Sequence, residues 1–84
     1  MRKDDTMKID VNEIRKREEL KENLKIIYEA LMEKGYDPKG QIVGFIMSGD
    51  PTYITNHNNA RAVCGKIDRY ELLELLVEEY FEKK

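Results

Sequence analysis

Twice in this chain a glycine is followed closely by an aspartate and a proline, at Gly35-Tyr36-Asp37-Pro38 and again at Gly49-Asp50-Pro51. No other feature restricts the fold as strongly. A glycine just past a helix takes the left-handed conformation that stops it. An aspartate accepts the free amide hydrogens of the next helix, and a proline suits its first position because no partner is needed there for an N–H. This punctuation divides the chain into short helices joined by tight turns.

A long helix is expected before it, from Val11 to Lys34. Asp10, followed three residues later by Glu13, makes a capping-box-like start. Leu20, Leu24, Ile27, Tyr28 and Leu31 recur at helical spacings and form one apolar stripe. The part before Leu20 is nearly all charge. Its pairs Glu13–Arg17 and Glu18–Lys21 contribute only about 0.2–0.5 kcal/mol each, so this part is expected to fray.

After Pro38 the run Ile42, Val43, Gly44, Phe45, Ile46, Met47 is apolar on every side. Pattern alone does not separate a buried helix from a buried strand here, but the flanking caps favour helix. Gly44 costs about 1 kcal/mol inside a helix relative to alanine, which points to close approach by another element. A helical turn through Thr52, Tyr53 and Ile54 is expected after Pro51. Ala60, Val63, Cys64 and Ile67 then mark a helix with Asn58 or Asn59 as its cap. Asp68 with Glu71 opens a last helix running to about Glu82.

In that last helix Leu72, Leu73, Leu75, Leu76, Val77, Tyr80 and Phe81 cover an arc of about 240°, where one neighbour needs little over about 100°. The excess must meet the rest of a small bundle and a second copy of the chain. The expected fold is therefore all-α, a compact small helical bundle forming a symmetric homodimer. A core of about 70 residues buries only about 60% of its unfolded surface, which favours self-association. Residues 1–10 are polar, of mixed charge and without periodicity, and are expected to form a flexible tail. Residues 11–84 form a single helical domain.

Several function classes are disfavoured. Cys64 and His57 are the single cysteine and single histidine, too few for a disulfide within the chain or a structural zinc site. The net charge of −2, from 15 basic and 17 acidic residues, gives no basic stripe for nucleic acid. No apolar run approaches the roughly 20 residues that cross a membrane. A lone thiol suits a reducing compartment, so a cytoplasmic location is expected. No catalytic residues, metal or cofactor are expected, because no nucleophile–base pair, phosphate loop or metal cluster can be assembled. Ser48 has only His57 as a possible base, and Asp50 is accounted for as a cap. Gln41 and Tyr53 are expected as buried hydrogen-bonding anchors, and Cys64 as a small buried hydrophobe. His57 reads as a solvated loop residue. Arg61 could pair with a core carboxylate or present its guanidinium to a partner.

The stretch Lys34 to Arg61, KGYDPKGQIVGFIMSGDPTYITNHNNAR, closely resembles the IreB/ReoM family of small regulatory phosphoproteins from Gram-positive bacteria. Lys34-Gly35-Tyr36, Pro38, Gln41-Ile42-Val43-Gly44, Ser48-Gly49-Asp50-Pro51, Tyr53 and Ala60-Arg61 match its motif, and Glu71 to Tyr80 follow it more loosely. Asp4-Asp5-Thr6-Met7 fits the family's D-x-T-hydrophobic element.

The resemblance implies a compact helical homodimer in which Thr6 is phosphorylated by a membrane-anchored PASTA-type Ser/Thr kinase and released by a cognate phosphatase. It implies control of peptidoglycan precursor synthesis and antibiotic tolerance, through Clp-dependent proteolysis of the UDP-GlcNAc enolpyruvyl transferase. The expected partners are thus a second copy, the kinase, the phosphatase, and a Clp adaptor or its substrate.

Six residues at four places depart from the motif. Thr55-Asn56 stands where the family has Pro-Arg, Gly65-Lys66 where a more basic pair is usual, and Asp37 and Gly40 where asparagines flank Pro38. The lost arginine bears on partner binding. A phosphate on Thr6 would add about −1.5 to −2 charge. It could dock on Arg61, Lys66 or Arg69, the expected partner-binding cations, or repel an acidic partner surface. A helix-turn-helix-like DNA binder is the alternative, with Asn58 to Ile67 as reader and Asn58, Asn59 and Arg61 at base edges.

Overall fold

The four aspartates expected to open helical segments, Asp10, Asp37, Asp50 and Asp68, all stand at N-cap positions with extended backbone. Asp10 accepts from the amides of Asn12 and Glu13 at 3.0 and 3.4 Å. Asp50 accepts from Thr52 at 2.9 Å, and Asp68 from Tyr70 and Glu71 at 2.9 and 3.2 Å. Asp37 caps by position alone, with Pro38 following it and no side-chain bond to the helix amides. Its carboxylate leans over Gly40, where a methyl group would sit 2.7 Å from Oδ2.

The computed structural model describes residues 10–82; the segment expected as a tail, with Thr6, lies outside the described residues apart from Asp10. Among the described residues there are four α-helices, α1 (Val11–Glu33), α2 (Pro38–Ser48), α3 (Ala60–Cys64) and α4 (Arg69–Phe81), with two 3₁₀ turns, Pro51–Tyr53 and His57–Asn59, between α2 and α3. No strand occurs among the described residues. None of their helices is long and apolar enough to cross a membrane.

The helix stops follow from backbone chemistry. At the end of α1, Gly35 (φ 82°) donates to Met32 O and Tyr36 to Leu31 O, the paired bonds of a Schellman motif. Gly49 (φ 76°) ends α2 in the same left-handed region. The charged start of α1 is continuous helix. Arg17 turns away from Glu13 and pairs with Glu78 and Glu79 of α4, and Lys21 reaches Glu79 at 3.4 Å. The expected local pair Glu18–Lys21 forms at 3.7 Å.

The core draws on every helix: Ile27, Ala30 and Leu31 from α1, Phe45 and Ile46 from α2, Ile54, Ala60 and Cys64 around α3, and Leu72 from α4. Each large apolar side chain buried there contributes about 1.5–3 kcal/mol. Gly44 lets the Tyr53 ring pack directly on α2, since a methyl group there would lie under 3.0 Å from three ring carbons.

One expectation is corrected in part. The helix placed from Asn58 to Ile67 spans only Ala60–Cys64; Asn59 stands at its N-cap position as expected, without a side-chain bond to the helix amides. Asn58 (φ 54°) and Asn59 (φ 65°) are both left-handed, a conformation that a right-handed helix cannot contain.

α4 directs Leu72 and Leu75 inward, at 0% and 3% exposure. Leu73, Leu76, Val77, Tyr80 and Phe81 face outward with no covering element among the described residues.

Candidate interaction surfaces

Two of the three cations expected to bind partners are engaged with the protein's own main chain. Arg61 donates from Nε to Ile54 O at 2.9 Å. Arg69 donates from Nη1 to Ile46 O at 2.8 Å, joining the first turn of α4 to the end of α2. A cation suits the carbonyl-rich C-terminal end of a helix. The Arg69 guanidinium also lies over Gly49, where a methyl group would come within 2.8 Å of it. Lys66 is exposed and borders a cleft with Lys16, Glu19, Asn23 and Glu71. The three side chains therefore face three different neighbours.

The residues of the densest motif form a packing device. Ser48 donates its hydroxyl to Gly44 O at 2.7 Å and accepts from the Asp50 amide at 3.0 Å, which leaves it as a turn residue. The Thr52 amide and hydroxyl both donate to Asp50 and hold its carboxyl below the usual carboxylate range, with the Arg61 charge assisting. Pro51 opens the 3₁₀ turn. Gln41 donates to Tyr53 O at 2.9 Å from a half-buried position, so it anchors the turn without being buried as expected. Tyr53 is 39% exposed, not buried, because its ring covers the outer side of Gly44 and its main-chain carbonyl serves as the anchor.

His57 is not simply solvated. Its Nε2 lies 2.8 Å from Glu33 Oε1, and Asn58 donates to the same oxygen at 3.3 Å. The two left-handed asparagines bring this turn back to the end of α1. Asn58 and Arg61 are thereby held by protein groups, and the short α3 differs from the reader helix that the DNA-binding alternative assumed. Thr55 accepts from the His57 amide at 3.2 Å, so the departure at Thr55-Asn56 supplies a turn contact. Cys64 is 1% exposed; burial pushes its thiol up, partly opposed by Arg61.

Two further surfaces stand out among the described residues. The first is the outer ridge of α4, where Leu73, Val77, Tyr80 and Phe81 are 45–81% exposed and the last two rings meet edge-on at 4.8 Å. Beside it, Leu24, Tyr28, Leu75 and Leu76 line a cleft of about 390 Å³ between α1 and α4. The second lies on the flank of α4, where Glu71, Glu74 and Glu78 border a smaller cleft facing the first turns of α1. The sequence reading did not single out these glutamates, although their spacings of three and four place them on one helical face.

The chain matches the family model described as IreB regulatory phosphoprotein over residues 4–82. It is 57% identical over 63 residues to a UPF0297 protein of Lachnoclostridium phytofermentans, covering 75% of this chain and 72% of that one. The match takes in Asp4-Asp5-Thr6-Met7 as well as all four helices. This chain belongs to the IreB family of regulatory phosphoproteins.

Proposed function

We propose that this protein is a non-catalytic cytoplasmic regulator whose signal is a phosphoryl group on Thr6, placed by a PASTA-type Ser/Thr kinase and removed by a phosphatase. The observation that carries this reading is the family match itself. It begins at Asp4, spans Thr6, and names a family of regulatory phosphoproteins. In the transfer, the γ-phosphorus of ATP forms a bond to the Thr6 hydroxyl oxygen. The bond to ADP breaks, and the hydroxyl proton passes to a base on the kinase. The product gains about −1.5 to −2 charge and three strong acceptor oxygens.

Downstream, the reading assigns control of peptidoglycan precursor synthesis, exerted through Clp-dependent degradation of the UDP-GlcNAc enolpyruvyl transferase. Two copies of the chain associate through the α4 ridge. That pairing is supported by the row of exposed leucine, valine and aromatic side chains, since contiguous apolar surface of this kind marks an interface.

The test is to incubate the full chain with the catalytic domain of such a kinase and ATP, and to map the product by mass spectrometry. One phosphate on Thr6, absent from Thr6→Ala, is the expected result. Modification confined to other residues would remove the switch. A pull-down with each form then identifies the partner, which should be retained by one form only.

A further inference from the structure

Between Thr55 and Gly65 the chain holds nearly all the parts of one longer right-handed helix. Asn56 (φ −81°, ψ −4°), Ala60 (φ −61°, ψ −35°) and Gly65 (φ −66°, ψ −15°) are right-handed, and α3 already runs from Ala60 to Cys64. Thr55 stands as an N-cap would for a helix beginning at Asn56. Its Oγ1 accepts at 3.2 Å from the amide of His57, the second residue of such a helix. The Asn59 amide bonds to Asn56 O at 3.2 Å. What interrupts the run is the pair Asn58 (φ 54°) and Asn59 (φ 65°).

Left-handed backbone is costly for a residue with a Cβ, and two such residues in succession need a counterweight. α3 does not supply it, since the side chain at its N-cap makes no bond to the helix amides. The counterweight comes from α1. One carboxylate oxygen, Glu33 Oε1, lies 2.8 Å from His57 Nε2 and accepts from Asn58 Nδ2 at 3.3 Å, across 24 and 25 residues of sequence. Glu33 is poorly placed for its own helix, because a negative charge in the last turn opposes the macrodipole and no basic residue stands in that turn. Its side chain is 59% exposed.

We infer that the segment from Thr55 to Asn59 is a two-state turn pinned by Glu33. In the pinned state the asparagines are left-handed and α3 is short. When the carboxylate lets go, Asn58 and Asn59 turn right-handed and α3 lengthens backward to Asn56 under the Thr55 cap. The lengthening stops there. Ile54 is buried, has extended backbone (φ −105°, ψ 128°) and gives its carbonyl to Arg61, so it stays in the core in both states. The released state withdraws His57 and Asn58 from α1 and leaves the Glu33 carboxylate open, which couples the end of α1 to the shape of α3. The device belongs to this chain's own sequence: the proline that the family motif carries in place of Thr55 has no hydroxyl with which to cap.

The test is backbone NMR of the isotope-labelled full chain in wild type, Glu33→Ala, Asn58→Ala and the double variant Glu33→Ala/Thr55→Val. In wild type the Cα shifts and φ-dependent couplings of Asn58 and Asn59 should report left-handed backbone. Glu33→Ala should bring both to right-handed helical values, with helical amide contacts unbroken from Asn56 to Cys64. Asn58→Ala removes one bond and the asparagine's tolerance of left-handed backbone without touching α1, and should give the same change. Adding Thr55→Val should reverse the gain by removing the cap. Left-handed shifts that stay put in Glu33→Ala would overturn the pin. Random-coil values at the asparagines, with the remaining spectrum intact, would overturn the second state, because the turn would merely have loosened. Core amides such as those of Ile27 and Leu72 should hold their positions; dispersion lost throughout Glu33→Ala would make Glu33 a general support of the fold and contradict a local pin.

Discussion

The ring of Tyr53 occupies the space that any side chain at position 44 would need: a methyl group on Gly44 would lie under 3.0 Å from three ring carbons. Alanine is favoured over glycine by about 1 kcal/mol within a helix, yet overpacking of this kind costs about 1–3 kcal/mol. Gly44→Ala should therefore destabilise the protein in urea unfolding. In a Tyr53→Ala background the sign should reverse and the same substitution should stabilise. Equal effects in the two backgrounds would mean that the ring contact is not the constraint.

Arg69 is expected to behave as a structural residue. Removing its bond to Ile46 O in Arg69→Met should cost about 1 kcal/mol, a fall of about 4–8 °C in Tm for a domain of this size. Lys66→Met, at an exposed position, should stay within about 0.5 kcal/mol of wild type. A calorimetric comparison that ranked them the other way would contradict the assignment.

Asp50 should leave a mark on the pH dependence of stability. Its pKa is lowered below the ordinary 3.8, first by the Thr52 amide and then by the Thr52 hydroxyl. A depressed pKa contributes stability above the unfolded value that is lost as the pH falls through the folded one. Asn can still accept at the cap, so Asp50→Asn removes mainly the charge. The variant should be less stable than wild type at neutral pH, and the gap should close on acidification below about 4, read as urea midpoints across the range.

Cys64 works in the opposite direction. Burial raises its thiol above the ordinary 9.0, so its contribution is intact below that value and declines as the pH rises toward the folded pKa. At pH 8 the native thiol should resist alkylation, with labelling tracking the opening of the core. Fast labelling in native protein would show the 1%-exposed thiol to be accessible.

On the α4 ridge, proposed above as the pairing surface, the wild type should sediment as a dimer and Val77→Glu as a monomer with helicity unchanged, because Val77 is 53% exposed and outside the core. A monomeric wild type, or an association state that Val77→Glu leaves unaltered, would contradict pairing through this ridge.

The helix starts were legible because an aspartate cap acts within three residues of itself: Asp10, Asp50 and Asp68 all bond as their local sequence implies. The glycine at 44 was legible for a related reason, since its helix cost needs compensation nearby. What escaped the sequence is non-local. Arg17 selects Glu78, 61 residues away, over Glu13 on its own helix. Arg61 and Arg69 select main-chain carbonyls, acceptors that every residue carries and that no pattern marks. His57 meets Glu33 only because two asparagines accept left-handed backbone, and asparagine adopts that conformation too selectively for composition to announce it. Of the candidate site, the motif residues were visible as a set, with Asp50 as a cap and Gly44 as a point of close approach, but the ring that approaches Gly44 was not, because Tyr53 reaches it across a turn.

The two ends of α4 are held by unlike means. Its first turn is tied by the Asp68 cap and the Arg69–Ile46 bond, while its later turns meet α1 through Arg17 and Lys21, ion pairs with side chains 36–42% exposed. Salt screens the second kind of tether and barely touches the first. Raising ionic strength should therefore unfasten the helix from one direction, with amide hydrogen exchange quickening near Glu78 and Glu79 while Leu72 and its neighbours keep their protection. The molecule carries a built-in polarity of unfolding, and the end that opens first is the one where Glu78 meets the first turns of α1.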